Sequence, residues 1–281
     1  MAVLMHRKFA TPEHPIRASA LTTLQQCPGF GYLGWLDGID EMTRESGKAA
    51  DTGTAIGLMV ELWHRGDDVD RAITRTENAA TGGFADRHPF PLADLGEATR
   101  AFRRYAADPR NDRGMVLVDS LEREVSLELP PHPFDPTGAP VCISGHLDQV
   151  RIGAHGMLEV WDVKHSRFDG DDLLKKYFWQ QAAYTIATGL SYGRPVKWGG
   201  LICTKGYLVR GAQTRAPDAF RVHFRASMTV ADCKAALDAI RFTVAMIRRG
   251  AIAPTPGVFC NYCPAKTFAA CRHEMSGIFE G

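Results

Sequence analysis

The chain has 281 residues, 45% hydrophobic and 23% charged, with a formal net charge of +1; it can bury a substantial core, has the balance of a soluble globular protein, and lacks the global basic charge of a general nucleic-acid binder. No run approaches the roughly 20 apolar residues of a membrane span, and His6, Arg7 and Lys8 precede no apolar signal core, so no membrane association and a cytoplasmic location are expected. Seven cysteines, an odd number, point to metal ligation or burial and away from a disulfide framework.

Residues 1–16, with Pro12 and Pro15, read as an irregular arm, after which Ser19 is a candidate cap for a helix in which Leu21, Leu24 and then Cys27-Pro28 appear. The run Ala50 to Arg65 suits a helix burying Ile56, Val60 and Trp63. Asp67 to Asn78 reads as a short exposed helix or loop and Thr81 to Pro91 as a connection. Leu92 to Ala107 is a further helix with Phe102 and Tyr105 inward and Arg100, Arg103 and Arg104 outward. Val116 to Leu129, carrying Glu124, reads as a strand. Local basic clusters at Lys164 to Arg167, Lys175-Lys176 and Arg248-Arg249 are the places where an anionic polymer could bind, and each also fits a solvated surface.

Two strand-like runs follow, Val141 to Ile152 and Met157 to Lys164, around the turn Gly153-Ala154-His155-Gly156, so an antiparallel hairpin is expected. With Ala154 to Gly156 as the loop, Gly153 faces Met157 and Asp148 faces Asp162. Opposed Cβ atoms in such a pair lie roughly 4.5–5.5 Å apart, close enough for two carboxylates to share a divalent cation. Lys164 projects from the same face as Asp162 because strand side chains alternate. A hairpin with solvated acidic residues is the bland alternative, and an isolated Asp-x-Lys is a weak motif.

Asp169 to Asp172 form an acidic start to a helix running from Leu173 to Thr188, on which Gln180 and Tyr184 stand one turn apart on one face. Pro195 to Thr204 and Ala219 to Phe224 read as strands, and Thr229 caps a long helix ending at Arg249-Gly250. In the tail, Cys260-x2-Cys263 followed by Cys271 is too dense for core packing and reads as a metal-ligand set. A structural zinc fits that triplet, with His273 or Cys27 as the fourth ligand. Cys142, Cys203 and Cys233 fall in strand or helix patterns and are expected in the core.

The ordered set Gly145-x-x-Asp148, Asp162-x-Lys164 and Gln180-x-x-x-Tyr184 resembles the core of the RecB-type nucleases of the PD-(D/E)XK superfamily. Cys27-Pro28 with Cys260, Cys263 and Cys271 resembles the iron-sulphur staple of its AddB-like and CRISPR-adaptation members. The resemblance implies an α/β restriction-endonuclease-like core, a mixed central sheet flanked by helices, in a single domain spanning residues 1–281 whose ends are tied by the four cysteines. It implies Mg2+ or Mn2+ held by Asp148, Asp162 and the Val163 carbonyl, with Lys164 acting on the attacking water and Gln180 and Tyr184 positioning the lysine or the DNA. It favours a [4Fe-4S] cluster over zinc at the cysteines, since spacing alone does not separate two thiolate-loving metals.

The family pattern Gly-x-x-x-His meets Gly53 and then Gly57 here, so the metal-holding His is missing; Glu61 or His64, further along the same helix face, could replace it, and both also fit an ordinary helix surface. Glu124 is a further metal or structural candidate. The function implied is a metal-dependent DNA exonuclease acting on single strands or duplex ends in recombination, repair or phage DNA metabolism, served in some settings by a helicase or recombinase. A nuclease-derived DNA-binding or scaffold subunit weakened by the loss at Gly57, and a site-specific endonuclease, are the alternatives.

Overall fold

A computed structural model of the chain describes residues 6–37, 48–80, 95–165, 170–204, 223–225, 228–251 and 255. The tail cysteines Cys260, Cys263 and Cys271, together with His273, lie outside the described residues, as do Ser166 and Arg167.

The architecture is α/β, compatible with a restriction-endonuclease-like core, but among the described residues its strands form two mixed sheets where one was expected. In the first, β3 (Val141–Leu147) lies between β1 (Ile16–Arg17), parallel to it, and β2 (Arg123–Leu129), antiparallel to it. In the second, the order is β4 (Gln149–Ile152), β5 (Leu158–Lys164), β6 (Val196–Cys203) and β7 (His223–Arg225), with only β5 and β6 parallel. The expected strand Val141 to Ile152 therefore breaks at Asp148 into β3 and β4, one in each sheet. The hairpin register is the expected one: Gln149 opposes Trp161 and Ile152 opposes Leu158, and the Gly153 N–H donates to the Met157 carbonyl at 2.7 Å. The turn is a short 3-10 segment in which His155 and Gly156 both take positive φ, 58° and 72°.

Helices α1 (Ala20–Gln26) and α2 (Pro28–Asp37) follow β1. Ser19, expected as the cap of α1, has helical backbone angles and makes no capping bond, so that helix starts without a side-chain cap. Helix α3 (Lys48–His64) matches the expected helix, and of the expected short exposed helix or loop the helix is found, α4 (Val69–Ala80), with one face buried at Ala72, Ile73, Thr76 and Ala79. Helix α5 is Leu95–Ala107. The strand expected from Val116 starts only at Arg123, because a 3-10 turn at Val118–Ser120, following one at Arg113–Met115, takes up its first half. Ser120 stabilises that arrangement: its Oγ donates to the Leu117 carbonyl and accepts the Val150 N–H.

The helix expected over Leu173 to Thr188 is two, α6 (Gly170–Lys176) and α7 (Phe178–Tyr192), separated at Tyr177. Helix α8 (Val230–Arg248) carries a full capping box, Thr229 and Asp232 each accepting the other's backbone N–H.

One hydrophobic core joins the first sheet to α1, α7 and α8 through Leu21, Leu24, Val141, Ile143, Ala183 and Ile240. A second packs α3, α4 and α5 on the other sheet through Met59, Trp63, Phe102, Tyr105, Trp161 and Ile202. Cys142, Cys203 and Cys233 are buried, as expected. No helix among the described residues is long and apolar enough to cross a membrane.

Candidate active site

The seam between the sheets brings the acidic residues together. Extending the β4–β5 register by one pair sets Asp148 opposite Asp162. Asp148 is half-buried and its Oδ2 accepts the Val163 N–H at 2.6 Å, so a side-chain oxygen takes a strand amide at the point where β3 gives way to β4. Asp162 is 2% exposed. Its Oδ2 lies 2.7 Å from Lys164 Nζ, an ion pair whose alignment falls short of a hydrogen bond, so the oxygen has no aligned donor among the described residues.

Burial pushes the Asp162 carboxyl above its ordinary range; Lys164 pulls it down and the charge of Asp148 adds to the rise. Burial works against the Lys164 ammonium, but Asp162 and Asp148 outweigh it and hold the lysine above its usual value. Two carboxylates and one ammonium at a buried point leave an excess of negative charge, the electrostatic setting in which a divalent cation replaces a proton.

Gln180 and Tyr184, expected beside this group, are both buried on α7. Gln180 Oε1 accepts the Thr22 hydroxyl at 3.2 Å, which ties α7 to α1. Tyr184 packs on Gly145 so closely that a Cβ there would fall 2.8 Å from the phenol oxygen and 3.0 Å from Ala18 Cβ, the physical reason for glycine at that position. Burial raises the Tyr184 phenol, with Asp162 and Asp148 adding to the effect, so the side chain is a neutral hydrogen-bonding group within their field. Tyr177, which the sequence reading did not single out, places its ring centroid 4.9 Å from Lys164 Nζ and 5.5 Å from Lys176 Nζ. Its signal was its spacing, three residues before Gln180 and seven before Tyr184, on one helical face.

A cleft of about 410 Å³ opens over this group. One wall is α3, with Gly53, Gly57, Leu58 and Glu61; the other carries Asp148, Val163, Lys164 and His165, with Glu122 at the edge. A Cβ at Gly57 would meet nothing within 4 Å, so packing does not require glycine there. Of the two candidates to replace the missing histidine, Glu61 lines the cleft, paired with Arg65 at 2.9 Å, and His64 does not. His64 is 4% exposed and its Nε2 lies 2.8 Å from Tyr105 Oη, because α5 packs against that face of α3. Glu124 is exposed on β2 opposite His146, away from the cleft lining; Glu122, two residues earlier and at φ 53°, is the acidic residue that lines it. No sequence pattern marked Glu122, whose position follows from a left-handed backbone turn.

His165 is clamped at both nitrogens, Nδ1 3.0 Å from Thr204 Oγ1 and Nε2 3.2 Å from Glu97 Oε1. On the arginine face of α5, Arg103 pairs with Asp70 at 2.6 Å and Arg104 donates to the Thr204 carbonyl.

Among the described residues no three His, Cys, Asp or Glu side chains converge on a common metal position. Asp148, Asp162 and the Val163 carbonyl nonetheless suit Mg2+ or Mn2+, which are held by few protein oxygens and keep several waters; the buried, poorly partnered Asp162 Oδ2 is the atom such an ion would satisfy. At the C-terminal end of α1, Cys27 Sγ accepts the backbone N–H groups of Phe30 and Thr255, each at 3.5 Å.

A search of curated proteins finds no match. Among solved structures, one described as "Crystal structure of SSO0001" aligns over 95% of this chain and 91% of that one at 14% identity, with a TM-score of 0.38, too slight a likeness to carry an argument. The profile of the PD-(D/E)XK nuclease superfamily matches residues 16–272. That span takes in both sheets, the Asp148 seam and the cleft, and the chain belongs to the PD-(D/E)XK nuclease superfamily.

Proposed function

We propose that this nuclease-superfamily protein is a metal-dependent DNA exonuclease that hydrolyses single-stranded or end-exposed DNA in recombination, repair or phage DNA metabolism, with a helicase or recombinase as the partner that supplies ends. The observation that carries the reading is the Asp148–Asp162–Lys164 group, with Asp148 and Lys164 lining the cleft and Asp162 buried behind them. Asp148, Asp162 and the Val163 carbonyl would hold Mg2+ or Mn2+, with Glu61 reaching in from α3. The ion would supply Lewis acidity toward a phosphodiester and a lowered pKa for water.

Lys164, held charged beside Asp162, would donate a hydrogen bond that orients the attacking water, whose proton would leave to bulk solvent through the cleft. Gln180 and Tyr184 fix α7 against α1 and β3, beside the strand that carries Lys164. Gly57 of α3 leaves room for a sugar-phosphate backbone to run along that wall.

The second element of the proposal is a [4Fe-4S] cluster on Cys27, Cys260, Cys263 and Cys271, with a structural Zn2+ as the alternative. Two backbone N–H groups point at the Cys27 sulfur, the kind of hydrogen bond that cluster sulfurs receive. Thr255, at that sulfur, precedes Cys260 by five residues, a reach of at most about 17 Å. Iron, sulfide and zinc analysis of anaerobically purified wild type and Cys27→Ser decides between the metals: iron with sulfide, lost in the variant, supports the cluster, and zinc alone overturns it.

The catalytic reading is tested by Mg2+- and Mn2+-dependent degradation of end-labelled linear DNA beside a covalently closed circle. Loss of linear DNA that disappears in Lys164→Ala supports the exonuclease. Cutting of the circle turns the reading to an endonuclease, and cleavage unchanged in Lys164→Ala removes the mechanism. A second reading, a DNA-binding or scaffold subunit with weakened catalysis, draws on Gly57, which leaves the α3 wall without a ligand at that position. Folded protein that binds no Mn2+ by calorimetry favours it.

A further inference from the structure

We infer that Tyr177 is a positioning residue for Lys164, its ring held beside the ammonium by a helix break that Gln25 staples; the inference rests on the nuclease reading above. The ring centroid lies 4.9 Å from Lys164 Nζ, within cation–π range. The Asp162 ion pair fixes Lys164 from one direction only, and a four-carbon side chain that is 22% exposed has further rotamers open to it. The ring supplies a second constraint.

The break that presents the ring is itself built. Tyr177 has φ −94° and ψ 10°, between the helical and extended regions, and separates α6 from α7. Gln25 of α1 spans it: Oε1 accepts the Trp179 N–H at 3.1 Å and Nε2 donates to the Lys175 carbonyl at 3.0 Å. One glutamine thus satisfies an orphan donor at the start of α7 and a carbonyl near the end of α6. An uninterrupted helix would need neither contact.

Two readouts test this on the full chain. The first is Mn2+-dependent cleavage of labelled single-stranded DNA, resolved into kcat and KM. The second is reductive methylation of the metal-free protein, with the rate at Lys164 read by mass spectrometry. Tyr177→Phe keeps the ring and is expected to match wild type in both. Tyr177→Met keeps apolar bulk without the ring; kcat should fall roughly ten-fold with KM little changed, and Lys164 should label about two- to five-fold faster. Gln25→Ala touches neither Lys164 nor the cleft lining and should move both readouts in the same direction, which covers the case of a Tyr177→Met protein that does not fold.

Loss in Tyr177→Phe equal to that in Tyr177→Met would assign the effect to the hydroxyl and overturn the inference. So would wild-type labelling of Lys164 in Tyr177→Met or, if that protein does not fold, in Gln25→Ala. If wild type cuts no DNA, the nuclease reading falls by itself and the labelling rates still decide the role of Tyr177.

Discussion

Lowering the pH from 7 to 5 should cost this protein about 2 kcal/mol through His64 alone. Tyr105 Oη accepts Gln149 Nε2 and Arg151 Nη2, both at 3.3 Å, which leaves its own proton for His64 Nε2 at 2.8 Å. His64 is then the neutral Nδ1–H tautomer, and that buried nitrogen has no hydrogen-bond partner among the described residues. Burial, reinforced by the charges of Arg151 and Arg113, pushes its pKa down from 6.5 to about 3. The unfolded chain therefore takes up this proton first as the pH falls. Stability is complete above about pH 6.5 and is lost toward pH 3 at about 1.4 kcal/mol per unit, or about 2 kcal/mol between pH 7 and 5.

Asp162 works the other way over an overlapping range, because its raised folded pKa costs stability as the pH rises. The net slope of wild type is therefore not diagnostic, and the comparison is with His64→Gln, which keeps a polar partner for Tyr105 and cannot titrate. Urea unfolding at pH 7 and pH 5 should show the stability advantage of wild type over the variant shrinking by about 2 kcal/mol. A difference independent of pH, or an imidazole resonance for His64 that titrates near pH 6.5, would refute the buried neutral assignment.

Gly57→Ala should stabilise the protein by about 0.5–1 kcal/mol in urea, because a helix-interior glycine is replaced where the new methyl meets nothing; destabilisation would mean that α3 lies closer to its neighbours at this point. Arg248→Met should cost about 3–5 kcal/mol. It leaves the Asp135 carboxylate, 2.6 Å away with neither side chain exposed, without its counter-charge, and takes a donor from the carbonyls of Phe9, Ala139 and Pro140, while Ala10 keeps the Cys142 N–H; a thermal midpoint near wild type would sink this account. Mn2+ binding should release a proton and tighten as the pH rises from 6 to 8, because burial raises the Asp162 carboxyl in the metal-free protein. Calorimetry in buffers of different ionisation enthalpy reads this directly, and identical heats would exclude proton release.

The register of the hairpin was legible because turn chemistry and period-two alternation are local, and only one loop length sets Gly153 against Met157. The capping box of α8 and the burial of the three core cysteines follow from equally local patterns. What the sequence did not show depends on partners far along the chain. The split of the expected helix at Tyr177 is held by Gln25, more than 150 positions away. The removal of His64 from the cleft is the work of Tyr105, 41 positions away. The delayed start of β2 and the appearance of Glu122 in the cleft both come from 3-10 turns and a left-handed residue, none of which has a strong sequence signal in Arg113 to Glu122.

The break at Asp148 links fold and site. The β2–β3 ladder ends at Arg123 opposite Leu147, and the β4–β5 ladder begins at Gln149 opposite Trp161, so Asp148 stands alone between two sheets. Its carboxylate makes the charge-assisted bond to the Val163 N–H that offsets the interrupted ladder. It also contributes negative charge at Asp162 and Lys164. The two roles separate by substitution. Asp148→Asn keeps an acceptor for Val163 and loses the charge, whereas Asp148→Ala loses both. If the seam and the site share this residue, Asn should retain most of the stability that Ala loses, about 1–3 kcal/mol for the orphaned N–H, while both lose Mn2+ binding alike. Equal stability of the two variants would mean that the bond to Val163 does not hold the seam, and Mn2+ binding retained by Asn would mean that the charge of Asp148 is not what the ion requires.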